Sequence, residues 1–205
     1  MIERGELDAA EQALGADSSV DAMALRGWVA LYRGDLTHAA RQLHEAGPYA
    51  GRPGEATERA RMLALVQRIG RERSPELGAA LLLLARRDSL AALPALREVG
   101  RRLPGRSGAG VLLLAGQVAA RLGPSHDSTA TALFAEVVAA DGAEPRDAAV
   151  APAAELEWAR LLLRRGEPAE AITHFERLIL TYPESALVPQ ARRELEQARG
   201  TIPRS

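Results

Sequence analysis

A small residue followed four positions later by a large apolar one recurs along this chain of 205 residues. The five pairs are Ala10/Leu14, Ala39/Leu43, Ala92/Leu96, Ala130/Phe134 and Ala171/Phe175. Positions four apart share one face of an α-helix, and antiparallel helices approach closely only where small residues face each other. A second small residue stands twelve or fourteen positions before four of these alanines, at Gly27, Ala80, Gly116 and Ala159. The pattern predicts a series of closely packed helical hairpins.

Composition and punctuation also indicate helices. Ala and Leu dominate the apolar residues and aromatics make up 3% of the chain, whereas strands prefer β-branched and aromatic residues. No segment alternates polar and apolar residues for long enough to propose a strand. Gly, Pro and Asp divide the chain into about eleven pieces of helical length. These are 2–14, 18–33, 35–46, 55–70, 75–86, 89–103, 107–122, 128–140, 149–165, 168–181 and 184–199.

Some helix boundaries have their own physical signal. Ser18 with Asp21 resembles a capping box, in which each side chain satisfies a free backbone donor. Pro75 and Pro168 are expected at the first helical position, where the missing N–H costs nothing. Pro94 lies inside a helical pattern, so we expect a kink or a late helix start there.

Two segments resemble the tetratricopeptide repeat (TPR), whose pattern runs W-x2-L-G-x2-Y, then A-x3-F, then P. The better copy runs from Glu155-Leu156-Glu157-Trp158-Ala159 through Gly166, Ala171 and Phe175 to Pro183. The next covers Leu25 to Ala46 and contains Leu31-Tyr32-Arg33-Gly34-Asp35. The resemblance implies an all-α fold in which antiparallel hairpins stack into a right-handed superhelical solenoid with a concave binding face.

This resemblance divides the chain into one TPR-like domain, 1–205, with an irregular middle. Ala39 and Ala92 lie 53 positions apart, where one repeat gives about 34. The predicted order is the second helix of a truncated repeat at 1–14, a repeat at 18–46, an odd helix at 55–70, repeats at 75–103, 107–140 and 149–181, and a capping helix at 184–199. The missing first helix before 1–14 favours a piece of a longer protein.

The source and compartment are indicated only indirectly. Every one of the 26 basic residues is Arg, which is typical of a GC-rich bacterial genome. The segment from Phe175 to Ser185 is similar to repeats of bacterial cell-envelope TPR proteins, including periplasmic partners of the Tol system and outer-membrane assembly lipoproteins. The resemblance slightly favours the periplasm or cell envelope over the cytoplasm.

Composition argues against several partners and sites. The net charge of −1 argues against nucleic acid, which needs a basic face or stripe. The chain has no Cys, which excludes disulfides and thiolate metal sites. Its apolar runs fall short of the ~18 residues that a membrane span needs, so we expect no membrane insertion in this segment.

Candidate catalytic groups are scattered. His38 and His44 are six apart and do not share a helical face, and we interpret all four histidines as surface or groove residues. Ser125-His126-Asp127 are neighbours in a turn and cannot form a catalytic relay alone. Glu155 and Glu157 are interpreted as part of a solvated helix face, because charged residues rarely bury unpaired. We therefore expect no catalytic residues, no cofactor and no metal.

The binding face is predicted from the first helix of each hairpin, which lines the concave side in the TPR family. Residues one and five positions beyond the small packing residue are Trp28 and Tyr32, Leu81 and Ala85, Gln117 and Arg121, and Arg160 and Arg164. This aromatic, apolar and then cationic face suits a protein or peptide with an apolar anchor and acidic residues. A packing role for Trp28 and Tyr32 stays open, because Trp and Tyr serve both cores and interfaces.

Three functions remain for such a chain. The first is a non-catalytic protein- or peptide-binding scaffold, with a role in bacterial cell-envelope assembly. The alternative is a structural repeat segment of a longer multidomain protein, and an enzyme of the helical-toroid type comes third. The sequence indicates neither the partner's identity nor the oligomeric state.

Overall fold

The computed structural model describes residues 1–47, 53–140 and 150–201, which form eleven α-helices and two 3-10 turns. The helices are α1 (Leu7–Leu14), α2 (Val20–Tyr32), α3 (Leu36–Glu45), α4 (Pro53–Ile69), α5 (Pro75–Ala85), α6 (Ser89–Arg102), α7 (Gly105–Leu122), α8 (Asp127–Ala140), α9 (Ala151–Arg164), α10 (Pro168–Thr181) and α11 (Val188–Thr201). The 3-10 turns are Ile2–Arg4 and Pro124–His126. Within these ranges there is no strand, only an isolated bridge between Asp35 and Arg73. The predicted all-α class is confirmed.

The N-cap of α2 differs from the predicted capping box by one residue. Ser19, not Ser18, precedes the helix, and its hydroxyl accepts a hydrogen bond from the Ala22 amide at 3.2 Å. Ser19 has the extended backbone that directs a cap side chain onto the first turn. The side chains of Asp35 and Asp88 likewise accept hydrogen bonds from the His38 and Ala91 amides and so cap α3 and α6.

The first and last predicted helices are shorter than expected. Gly5, in a left-handed conformation, separates the turn Ile2–Arg4 from α1, so 2–14 is not one helix. A helix that began at 184 would place Pro189 in its second turn, where the missing N–H and the ring disrupt hydrogen bonding. The observed start at Val188 places this proline in the first turn instead.

Pro94 lies inside α6, which begins at Ser89 on its Asp88 cap, so the predicted late start is wrong. The proline removes the amide that would bond to the carbonyl of Leu90, four residues earlier. Pro94 is exposed and Leu90 is 64% exposed. Water can therefore satisfy this carbonyl, which explains why the helix continues through the proline.

Residue contacts divide the chain into two compact units, Met1–Gly108 and Ala109–Ser205. In the first unit, α2 packs on α3 through the predicted small residue Gly27. A Cβ atom at Gly27 would lie 2.7 Å from Cδ2 of Leu43, so a larger residue would force Leu43 or the helices to move. Ala39 is fully buried in the same interface.

Helix α4, the odd helix of the sequence prediction, packs on α3, and the segment that follows it joins the α2–α3 turn. The Glu72 carbonyl accepts hydrogen bonds from the amides of Leu36 and Thr37, at 2.9 and 3.2 Å. These amides belong to the first turn of α3 and lack partners within the helix. The Ser74 amide donates to the Gly34 carbonyl at 2.8 Å. Helix α5 therefore starts directly against the turn between α2 and α3.

The second unit repeats the small-against-large contact. A Cβ atom at Gly116 of α7 would lie 2.6 Å from Cε1 of Phe134 on α8. Helices α9, α10 and α11 pack consecutively around a core that includes Ala159, Ala171 and Phe175. Consecutive helices thus pack on one another as in a helical repeat, and the small residues that predicted these contacts are buried.

Candidate functional site

Four residues of the predicted binding face lie together in the first unit. Trp28 and Tyr32 on α2 and Leu81 and Ala85 on α5 line one pocket of about 250 Å³. They meet because the first turn of α5 packs on the last turn of α2. A Cβ atom at Gly78 would lie 2.7 Å from the Tyr32 carbonyl oxygen, so the backbones are in direct contact here. We call this cavity, with its walls on α2, α4 and α5, the three-helix pocket.

The aromatic pair forms one side of the three-helix pocket. The rings of Trp28 and Tyr32, one helical turn apart, stack with centroids 5.9 Å apart and an interplanar angle of 22°. Both side chains are half-buried. Burial, with the charge of Glu58 as a second cause, raises the pKa of Tyr32 to about 12. The phenol is therefore uncharged across the physiological range.

Helix α4 supplies the wall that sequence reasoning missed. Glu58 and Met62, one turn apart on α4, line the pocket together with Leu31 and Leu84. Met62 belongs to a buried stripe that continues through Leu65, Val66 and Ile69. This helical periodicity was visible in the sequence and indicated a packed face, but it did not indicate which helices that face would meet.

The predicted residues Gln117, Arg121 and Arg164 belong to the second unit. Gln117 is half-buried, and Arg121 is exposed with its Nε donating to the Gln117 carbonyl at 3.2 Å. Arg164 donates to the Ala120 carbonyl at 3.2 Å, at the C-terminal end of α7. An arginine at this end satisfies a carbonyl that has no partner within the helix. Arg164 also lines a polar depression of about 460 Å³ beside the start of α8.

Arg160, the second member of the predicted arginine pair, is held by carboxylates of its own chain. Its Nε and Nη2 atoms donate to the two oxygens of Glu194 on α11, at 2.9 and 2.5 Å. Its Nη1 atom donates to Glu157 at 3.1 Å. The hydrogen bond from Arg160 is the main cause that holds the pKa of Glu194 below its ordinary value. The guanidinium is thus already in the bidentate geometry that a partner's carboxylate would require.

A buried polar cluster in the second unit overturns two interpretations from the sequence. Glu155 is 0% exposed, not solvated, and His174 is buried against it, with Nδ1 2.6 Å from Oε2. Arg177 Nη1 lies 3.5 Å from the other oxygen of Glu155. The indole of Trp158 packs on the His174 ring, with centroids 4.1 Å apart. The cluster joins α9 to α10 and satisfies a carboxylate that would be costly to bury alone.

The sequence contained a signal for this burial. Glu155 stands four positions before the small packing residue Ala159 and one position after Ala154, and both alanines are fully buried. Helical periodicity therefore placed the glutamate on the face of α9 that packs inward. The general rule that carboxylates stay exposed does not hold where such a pattern places one against a partner helix.

In the described part of the chain, no group of three or more His, Cys, Asp or Glu residues is arranged to hold a metal ion. No helix among the described residues combines the length and the apolar character needed to cross a bilayer. Comparison with known proteins finds no matching protein-family model, no similar curated protein and no similar solved structure.

Proposed function

We propose that this chain is a non-catalytic scaffold of the TPR kind, which binds a protein or peptide by holding one of its side chains in the three-helix pocket. The proposal includes stacking of the hairpins into a superhelical solenoid and a role in bacterial cell-envelope assembly. The observation that supports it is that three residues of the predicted binding face line the same cavity. Trp28, Tyr32 and Leu81 were predicted to face a partner from the TPR resemblance and from their spacing, and they line one cavity.

The size and lining of the pocket favour a side chain over a whole small molecule. Pockets for drug-sized ligands enclose roughly 300–1,000 Å³, and the three-helix pocket encloses about 250 Å³. Interfaces take most of their binding energy from a few side chains seated in such pockets, and Trp and Tyr are enriched among those residues. A stacked pair offers a rigid apolar surface with little rotamer entropy to lose.

The apolar anchor is the part of the predicted interaction that the contacts support. The sequence predicted an acidic partner because of Arg160 and Arg164. A partner's carboxylate would have to displace Glu194 from Arg160, and Arg164 already donates to a backbone carbonyl. We therefore assign binding to the three-helix pocket and not to the arginine pair.

The test fills the pocket without removing a core side chain. Ala85 is half-buried and lines the cavity, so Ala85→Phe would occupy the space of an anchor. The matched control is Ala64→Phe on α4, because Ala64 is exposed and does not line the pocket. Peptides selected from a display library against the wild-type chain would be measured against all three proteins by fluorescence anisotropy.

We expect Ala85→Phe to weaken binding at least about 30-fold, which corresponds to the loss of one hot-spot contact of about 2 kcal/mol. Ala64→Phe is expected to bind like the wild type. Circular dichroism would establish that both variants keep their helices. Equal affinity of all three proteins for the selected peptides would refute the assignment of binding to this pocket.

A further inference from the structure

The charge at the mouth of the three-helix pocket limits what the pocket can hold. Its described lining residues comprise seven apolar or aromatic side chains and one charged side chain, Glu58. The Glu58 side chain is 51% exposed, so its carboxylate is accessible to a ligand. Its negative charge acts on the pocket, since it contributes to the raised pKa of Tyr32. An apolar cavity with one carboxylate at its rim complements a side chain that is apolar along its length and cationic at its tip.

The ion pair between Glu58 and Arg61 is weak enough to be displaced by a ligand. Arg61, three residues later on α4, has its Nη1 atom 3.6 Å from the Glu58 carboxylate. Both side chains are more than half exposed, and exposed ion pairs of this kind contribute little to stability. A ligand cation that also covers apolar surface therefore competes favourably for Glu58.

We infer that the three-helix pocket takes an arginine side chain of a linear partner peptide, which names the anchor of the proposed function and rests on it. The methylene stem lies on the Trp28–Tyr32 surface and the guanidinium pairs with the Glu58 carboxylate. Aliphatic stems of long cationic side chains cover apolar surface while the charged tip stays in contact with water or a counter-charge. Cations are also attracted to the faces of Trp and Tyr rings.

Arginine fits this site better than lysine. Its guanidinium is planar, stacks on aromatic rings, is weakly hydrated and pairs with a carboxylate through two parallel hydrogen bonds. A lysine ammonium is a compact and strongly hydrated charge, which loses more solvation at an apolar rim. An acidic anchor is disfavoured, because Glu58 would repel it and no cation lines the described part of the pocket.

The experiment compares four pools of fluorescein-labelled heptapeptides whose central residue is Arg, citrulline, norleucine or Glu, with Gly, Ala, Ser and Gln randomised elsewhere. Citrulline has the shape of arginine without its charge. Binding to the full chain would be measured by anisotropy for the wild type, for Glu58→Gln and for the control Glu55→Gln. Glu55 is exposed on the same helix and does not line the pocket.

The Arg pool is expected to bind about tenfold more tightly than the citrulline pool. Glu58→Gln should abolish this preference and leave citrulline binding unchanged, whereas Glu55→Gln should keep it. If the norleucine pool binds as well as the Arg pool, and Ala85→Phe blocks both, the arginine assignment is wrong and the proposed function stands. If no pool binds to the wild type, the arginine assignment is wrong, and the library-selected peptides decide the proposed function separately. If the chain self-associates and Ala85→Phe abolishes this self-association, the pocket holds a second copy of the chain and the inference is wrong.

Discussion

Replacing Gly116 by alanine is expected to destabilise the second unit, although alanine is the better helix former. Gly116 lies in the interior of α7 and faces Phe134, which is fully buried on α8. The added Cβ atom would lie 2.6 Å from Cε1, 2.9 Å from Cδ1 and 3.3 Å from Cζ of the ring. A buried ring has no open space to move into, so α7 and α8 would have to separate.

The size of the effect follows from two opposing contributions. Gly to Ala in a helix interior gains about 1 kcal/mol of helix propensity. Extra atoms in a well-packed interior cost about 1–3 kcal/mol, and three ring atoms closer than an ordinary contact place this site at the upper end of that range. We expect a net loss of about 1–2 kcal/mol in the free energy of unfolding.

The assay is urea denaturation of a double-mutant cycle with Phe134→Leu. Leucine lacks the Cε1 and Cζ atoms that the new methyl would meet, and its Cδ atoms can turn away into another rotamer, so Gly116→Ala should be nearly neutral in that background. The expected coupling energy is about 1–3 kcal/mol. Gly200→Ala is the control, because nothing lies within 4 Å of a Cβ atom built there. If Gly116→Ala stabilises the wild type as much as Gly200→Ala does, the packing argument is wrong.

Three further predictions concern ionisable groups. His174→Ala should lower the free energy of unfolding by about 3 kcal/mol in urea titrations, because it leaves the buried Glu155 carboxylate without its main partner. The control His44→Ala, at an exposed position, should have little effect. Arg160 lowers the pKa of Glu194, so this group stabilises the fold above its unfolded pKa of about 4.5. Glu194→Gln should therefore lower the free energy of unfolding at pH 7. The difference in stability between this variant and the wild type should vanish as the pH falls below the folded pKa. The raised pKa of Tyr32, about 12 against 10.0, disfavours the phenolate in the folded state, so stability should fall as the pH rises above 10. Absorbance titration should show the Tyr32 phenol ionising late.

The helix-to-helix contacts could be predicted because they depend on local spacing. Gly27 and Leu43 meet, as do Gly116 and Phe134, and each contact follows from helical periodicity and from the size of the two residues. A hairpin brings its two helices together through a short connection, so few alternative pairings compete. A small residue at a predicted contact position was therefore sufficient to predict where the two helices of a hairpin meet.

The three-helix pocket could be predicted only in part. The positions of Trp28 and Tyr32 on α2 and of Leu81 on α5 follow from the hairpin pattern. Glu58 and Met62 could not be placed, because α4 interrupts the alternation of first and second helices. The sequence showed the interruption as an irregular repeat spacing, but the side on which the extra helix packs is decided by tertiary contacts.

Polar partners across helices were the least predictable feature. Periodicity shows which face of a helix a charge occupies, but not which distant charge it will meet. Glu155 pairs with His174 on the next helix, and Arg160 pairs with Glu194 on α11. Their sequence separations of 19 and 34 residues exceed the reach of any pattern within one helix. The second pairing removes the basis on which an acidic partner was expected.

The three methionines allow the most direct test of binding in the three-helix pocket. Met62 is 4% exposed and lines the pocket, whereas Met1 and Met23 lie outside its lining. In a chain with ¹³C-labelled methionine methyl groups, titration with the tightest-binding peptide pool should shift the Met62 resonance and leave the other two in place. Saturation of binding by anisotropy without movement of the Met62 resonance would contradict the account.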